Sequence, residues 1–401
     1  METQFDAIIV GGSSVGATLA LALGRQGMRV ALIDASEFEP SWPAGSVDLR
    51  VFAITRASQR IFEHLEAWER MVELGVSPFR AMQVWDARGD GQIRFDSAEI
   101  AEPTLGHIIE QRVIQQALLE AIDGVPAITR ICPAEIVAFQ RDDRVMQVTL
   151  ASGAVLSGRL LVGADGADSS LRTLAGIPLE VQPYHQEAVV GVVQTELPHR
   201  ETAWQRFLPD GPLAFLPLAD GRCSIVWSTT PPEAERLCDM PEENFLSELT
   251  MAFASRLGRV TGVGERVRFP LRRQHAGHYV EPGLALVGDA AHVIHPLAGQ
   301  GVNLGLLDAA TLAEVLLSAR ARGQDWGRLS VLRRYERWRR GENQLMMTAM
   351  DGFKQLFGSS LPPLRVARNL GLNLVDHAGP VKDVIVKHAM GLSGDLPGLA
   401  R

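Results

Sequence analysis
Residues 5–10 alternate little and are rich in isoleucine and valine, the pattern of a strand covered on both faces. From residue 14 to 26 small and apolar side chains recur at helical spacing and stop at Gly27, and residues 29–33 are a second apolar run that ends at Asp34. Strand, helix and strand in about thirty residues predict a β-α-β unit. Residues 36–50, with Pro40, Pro43 and Gly45, predict a loop. Helices are expected over 57–68 and 110–122, and strands over 135–139, 145–150 and 159–162. The pattern then changes. Residues 188–194, 203–208, 213–217 and 223–228 predict strands joined by turn signals such as Pro209-Asp210-Gly211, a separate sheet inserted into the first fold. Residues 284–287 return to the buried-strand pattern, a helix is expected over 302–320, and the rest predicts helical structure.

Length and composition narrow the class. A chain of 401 residues, 46% hydrophobic and 21% charged, fits two or three globular units with a sizeable core. Its cysteines, Cys132, Cys223 and Cys238, are odd in number and widely spaced, which argues against a disulfide framework or a structural zinc site and suits a reducing compartment. Residues 7–24 carry no charge, but Gly11, Gly12, Ser13 and Ser14 break them, and Glu2 and Asp6 replace the positive start of a signal peptide. No other run comes as near a membrane span, so a soluble or membrane-surface protein is expected. The net charge of -8 disfavours nucleic acid as a partner. Its distribution says more: residues 321–401 carry 13 basic and 7 acidic side chains, and the preceding 320 residues carry 26 and 40.

Three segments carry candidate chemistry. Gly11-Gly12-Ser13-Ser14-Val15-Gly16 follows a strand and opens a helix, where glycines permit a tight turn and the helix N-terminus offers N–H groups to a pyrophosphate. Ser13 stands where the middle glycine of a dinucleotide fingerprint is usual, and Asp34 ends the next strand, placed to accept from a ribose. Val162-Gly163-Ala164-Asp165-Gly166 is a second strand-to-turn passage; read alone, it is Asp-Gly turn chemistry with Ser169 at a helix start. The third runs from Val287-Gly288-Asp289 through His295-Pro296-Leu297-Ala298-Gly299-Gln300-Gly301-Val302-Asn303 to Gly305. Its carboxylate suits a sugar or ribityl hydroxyl, and its glycine-rich helix start suits the electronegative edge of a flat ring. His292 and His295 are three apart, yet the glycine loop suits a flat ring better than zinc, so no metal site is expected.

Together these segments resemble the single-component FAD-containing aromatic-ring hydroxylases of the p-hydroxybenzoate hydroxylase fold. The third is most similar to their ubiquinone-biosynthesis branch, the UbiH/UbiF/VisC-type hydroxylases, as are residues 48–54 and 389–394. The resemblance implies an α/β (α+β) fold: a Rossmann-like FAD-binding domain (1–176 and 276–320), an inserted mixed β-sheet substrate domain (177–275) and a helical C-terminal region (321–401). It places Gly11, Gly12, Ser13 and Gly16 at the FAD pyrophosphate, Asp34 at the adenosine ribose, and Arg50 and Arg112 along the pyrophosphate and ribityl chain. Asp165 would serve FAD and NAD(P)H, Gly288 and Asp289 the ribityl or ribose hydroxyls, and Pro296, Gly299, Gln300, Gly301, Val302 and Asn303 the isoalloxazine. Arg112 has a plainer reading as a solvated arginine on an amphipathic helix.

The activity implied is hydroxylation of a phenolic ring through a flavin C4a-hydroperoxide, with O2, and NAD(P)H as donor. A prenylated phenol of ubiquinone biosynthesis is the expected substrate; a soluble aromatic or secondary metabolite, or a non-catalytic flavoprotein scaffold among quinone-biosynthesis proteins, are the alternatives. Trp204, Phe207, Phe215 and Trp227 are candidates to roof the site, and His295, His185 or Tyr184 for a base. Met346, Met350, Phe353 and Phe357 mark an apolar helix stripe, Leu364, Leu370 and Leu374 a second, and Pro380 a third helix start. The C-terminal arginines are expected on the wet face, in a cytoplasmic protein with peripheral contact to an anionic inner-membrane face.

Overall fold
The computed structural model describes residues 4–39, 41–43, 45–142, 144–294, 301–358, 382–383, 387 and 390–401. The first β-α-β unit forms as the pattern predicts: strand Ala7–Val10, helix Ser14–Gly24 and strand Val30–Ile33. These strands lie parallel in a six-stranded sheet, ordered Val280–Glu281, Leu284–Leu286, Leu161–Gly163, Ala7–Val10, Val30–Ile33, Ile128–Ile131. Leu19, Leu21 and Leu23 of the first helix are wholly buried between helices Gln111–Asp123 and Gly301–Ala321. Each contributes about 1.5–3 kcal/mol.

The inserted sheet is wider than the sequence pattern indicates. Eight strands run in the order His292–Val293, Val260–Ala276, Leu179–Thr195, Cys223–Thr229, Gly211–Pro217, Thr202–Leu208, Ala81–Asp86, Gln92–Asp96. Thus residues 81–96 and 292–293 join the strands found between 177 and 275. The expected helix over 57–68 divides at Glu66, whose φ of 55° is left-handed, into Arg56–His64 and Trp68–Gly75.

Helix Gly301–Ala321 has 21 residues and is apolar enough to cross a membrane, but 78% of its most apolar window is buried inside the protein. Helix Leu329–Gly358 packs beside it. Of the predicted stripe only the Met346 side chain is described, and it is the neighbouring Met347 that is buried, against Ile294 and Leu304. Arg333 and Arg337 face solvent as expected, whereas Arg339 is 2% exposed. Leu364, Leu370, Leu374 and Pro380 lie outside the described residues.

Two histidines are buried neutral. Burial, with Arg56 and Arg80 nearby, pushes the His107 imidazole down to about 4. Burial, with Arg340, His292 and Arg273 around it, does the same to His275, also to about 4. Both folded values lie below the unfolded value of about 6.5, so the unfolded chain takes up these protons first. The stability they contribute is present above about pH 6.5 and is lost as pH falls towards 4, by about 1.4 kcal/mol per pH unit for each group. Urea midpoints should therefore fall between pH 7.5 and 5, and His107→Gln should flatten the decline.

Candidate active site
A cleft of about 1170 Å³ separates the six-stranded and eight-stranded sheets. That exceeds the roughly 300–1,000 Å³ of an ordinary small-ligand pocket and suits a dinucleotide together with a second ligand. Its floor begins where strand Ala7–Val10 ends. Gly11 has φ +105°, and a Cβ there would lie 2.2 Å from the Ala164 carbonyl oxygen. At Gly16 a Cβ would lie 1.8 Å from the Gly11 carbonyl oxygen. Glycine at both places lets the turn, the helix and the neighbouring strand end close on one another.

The N-terminus of helix Ser14–Gly24 thus opens into the cleft without a side-chain cap. The Ser13 hydroxyl accepts from Gln111 Nε2 at 3.3 Å, and the buried Ser14 hydroxyl has no partner. Asp34 ties the turn to the second strand, its carboxylate accepting from the Gly12 N–H at 2.5 Å and the Ser36 N–H at 2.9 Å. Uncapped N–H groups, an orphaned hydroxyl and a backbone with no room for a Cβ are what a pyrophosphate needs, so these residues fit a dinucleotide.

Asp289 follows Gly288 at the middle of the floor. Its surface is open to the cleft, yet the protein mass around it desolvates the carboxyl and raises it above the usual range against the pull of His292 and Arg50. Behind it Asp308 is fully buried and accepts from four donors: the Gly288 N–H at 3.1 Å, His292 Nε2 at 2.5 Å, Arg339 Nε at 2.8 Å and Asn343 Nδ2 at 3.2 Å. Burial alone would raise the Asp308 carboxyl, but His292 and Arg339 outweigh it and hold it at about 2.

Of the sixteen residues singled out from sequence, Gly11, Ser13, Asp34, Arg50, Asp165, Asp289, Gly301 and Val302 line this one cleft. Gly12, Gly16 and Gly288 stand just behind it as backbone supports. Pro296, Gly299 and Gln300, with His295, lie outside the described residues. Two residues play parts the family resemblance does not suggest. Arg112 lies off the cleft: it pairs with Glu110 at 2.7 Å, stacks 4.5 Å over Trp42 and donates to Ser46, so it fastens the 42–50 loop. Asn303 donates to the Ala53 carbonyl and accepts from the Thr55 N–H, pinning strand Val51–Ile54 to the helix start. Asp165 lines the cleft but caps the helix Ser170–Leu174 through the Leu171 N–H and the Ser169 and Ser170 hydroxyls, which is the turn reading given above.

The roof corrects one expectation. Phe215 and Trp227 point away from the cleft, where they pack with Phe245 and Phe253 beneath the two helices of residues 231–252, and Phe207 does not line the cleft. Trp204 alone of the four lines it. The rest of the cleft face is mostly aliphatic, with Ala188, Val190, Ala214, Leu216, Val226 and Leu271 beside Phe269, and among the described residues it bears no charged side chain. Alternation along each strand was the sequence signal: Val189, Phe215 and Trp227 are buried on the far face, and their neighbours look into the cleft. Gln111 and Gln115, also missed, line the floor one helical face round from Arg112.

Neither described base candidate is poised for proton transfer. The Tyr184 hydroxyl donates to Asp351 at 2.6 Å, and burial with that carboxylate pushes its pKa well above the ordinary tyrosine range. His185 is exposed, with φ 54°.

A glycine-built floor that fits a dinucleotide, beneath an apolar roof, is the arrangement a flavin-dependent monooxygenase needs, and the comparisons agree. Residues 4–349 match the family described as FAD binding domain. The chain is 41% identical over 96% of its length to 3-demethoxyubiquinol 3-hydroxylase of Escherichia coli, covering 98% of that protein. It is 40% identical to ubiquinone hydroxylase UbiL of Rhodospirillum rubrum, over 96% of this chain and 89% of that one. The crystal structure of p-nitrophenol 4-monooxygenase from Pseudomonas putida shares the fold, with a TM-score of 0.81 over 98% of this chain and 99% of that one, at 20% identity. The chain belongs to the FAD-dependent aromatic-ring hydroxylases of ubiquinone biosynthesis.

Proposed function
We propose that this protein hydroxylates a prenylated phenol on the route to ubiquinone, taking electrons from NAD(P)H. The observation that carries the reading is the division of one cleft into a floor with Asp34, Arg50, Asp165 and Asp289 and a roof without charge. A polar dinucleotide suits the first surface and a lipophilic ring with its tail the second. Gly11, Gly12, Ser13 and Gly16 would hold the pyrophosphate, Asp34 a ribose and Asp289 the ribityl hydroxyls, with Gly301 and Val302 near the ring system. Bound FAD, when reduced, supplies the activation of O2 and the delivery of one oxygen atom to the substrate ring.

The chain's own part is to bind, orient and exclude water. Leu216, Val226 and Leu271 keep the roof dry, while Gln205 and Ser228 offer neutral hydrogen-bonding side chains to a ring hydroxyl. Residues 81–96 belong with 177–275 as the substrate domain in this scheme. The FAD-loaded protein should oxidise NAD(P)H at least about tenfold faster with a prenylated phenol than without, releasing a product one oxygen heavier. Stimulation by soluble phenols only would overturn the substrate assignment.

With such a substrate the protein would work from the cytoplasm at the inner membrane face. Arg333 and Arg337 lie one turn apart and exposed on helix Leu329–Gly358, a footing for anionic lipid worth about 1 kcal/mol per arginine. The double variant Arg333→Glu, Arg337→Glu should float less with anionic liposomes than the parent chain; equal flotation would refute this docking.

A further inference from the structure
The cleft floor is held from behind by a carboxylate that does not line the cleft. Asp308 has no exposed surface, and its four donors come from two directions. The Gly288 N–H and His292 Nε2 bind one oxygen, and Arg339 Nε and Asn343 Nδ2 bind the other. Arg339 Nη2 also donates to the Asn343 amide oxygen at 2.9 Å, which fixes the pair as a unit. Arg339 is 2% exposed and Asn343 fully buried, so water replaces none of these bonds.

Three segments therefore meet at one side chain: the 288–292 turn, helix Gly301–Ala321 and helix Leu329–Gly358. Asp289 lies in that turn between the two residues Asp308 binds. Gly288 has φ +60°, a left-handed backbone that its N–H bond to Asp308 stabilises. Movement of Asp308 would carry Asp289 with it, since neither end of the turn could stay in place.

We propose that Asp308 is a positioning residue for flavin binding, which sets where Asp289 stands and, through Arg339 and Asn343, couples FAD binding to the docking of helix Leu329–Gly358. This rests on the role given to Asp289 above. The coupling is reciprocal: a helix better docked binds FAD more tightly, and bound FAD holds the helix more firmly. A buried ion pair that only braces the fold would behave differently. Its loss would lower stability and leave the FAD affinity of the folded protein unchanged.

The test uses the full chain, stripped of FAD and titrated with FAD alone by flavin fluorescence. Asp289→Ala, Asp308→Asn and Asn343→Ala are compared, with hydrogen exchange of residues 335–343 followed with and without FAD. Asn343→Ala removes the 3.2 Å donor and the acceptor of Arg339 Nη2, keeps the Gly288, His292 and Arg339 Nε bonds to Asp308, and decides the matter if Asp308→Asn does not fold. The expected result is about tenfold weaker FAD binding for Asn343→Ala, an altered visible circular dichroism of the bound flavin, and slower exchange at 335–343 when FAD binds the parent protein. Parent-like affinity and dichroism in Asn343→Ala, or exchange that FAD does not alter, would overturn the positioning role. If Asp289→Ala itself binds FAD as the parent does, the role of Asp289 fails first; if Asp289→Ala loses FAD and Asn343→Ala keeps it, only the positioning fails.

Discussion

Gly16→Ala should give a colourless protein. The new methyl would lie 1.8 Å from the Gly11 carbonyl oxygen and 3.2 Å from the Ala164 side chain. The helix cannot yield, because Ala17, Leu19, Ala20 and Leu21 have no exposed surface. The turn must move instead, and the turn is the cradle proposed for the pyrophosphate. Overpacking of this kind costs about 1–3 kcal/mol, which spent on binding is up to about a hundredfold in affinity. Flavin absorbance per protein after purification is the measurement. Gly341→Ala is the control: nothing lies within 4 Å of its added Cβ, and it stands in helix Leu329–Gly358. It should keep its FAD and gain up to about 1 kcal/mol. FAD retained at parent level in Gly16→Ala would show that the turn accommodates the methyl without cost to binding.

Asp289→Ala should lose FAD with the fold kept. The Asp289 side chain stands in the cleft, so its truncation opens no cavity in the core. A hydrogen bond to a charged group is worth about 1.5–3 kcal/mol, so FAD should bind about tenfold to a hundredfold more weakly. Asp289→Asn, which keeps an acceptor but not the charge, should fall between. The urea midpoint of the FAD-free protein should match the parent. A full complement of FAD in Asp289→Ala would remove this residue from the cofactor site.

The floor was legible because its signals are local. Glycines, a strand-end aspartate and a helix start fall within a few residues of each other at Val10–Gly16 and at Val287–Asp289. Strand Val145–Leu150 alternates between buried and half-buried positions, and Cys223–Thr229 was legible as a run beside the Asp220-Gly221 turn. Strand Val76–Phe79 was not, because it is four residues long and contains Pro78. Strand Val260–Ala276 was missed because arginines occupy Arg266, Arg268, Arg272 and Arg273, a pattern that resembles a solvated loop. Strand Leu179–Thr195 begins well before the expected 188–194, and its first part escaped the pattern because the register with Val260–Ala276 shifts between Pro183 and Gln186, which breaks the period of two.

The roof was misjudged for a physical reason. Phe215 and Trp227 fill the interior behind the sheet, whereas Trp204 and Phe269 share the ligand face with small and aliphatic residues. Asp308 did leave a trace in the sequence, as an acid between Leu307 and Ala309 in a mostly apolar helix. Its partners Arg339 and Asn343 lie more than thirty residues on, beyond the reach of any local pattern.

The two 17-residue strands Leu179–Thr195 and Val260–Ala276 are the physical link between roof and floor. In the proposed scheme the ring substrate would meet the eight-stranded sheet, and the nucleotide would meet the turns at the strand ends of the six-stranded one. A lineage carrying this fold is thus free to exchange side chains such as Ala188, Ala214 and Val226 and reach a new substrate while it inherits its redox machinery intact.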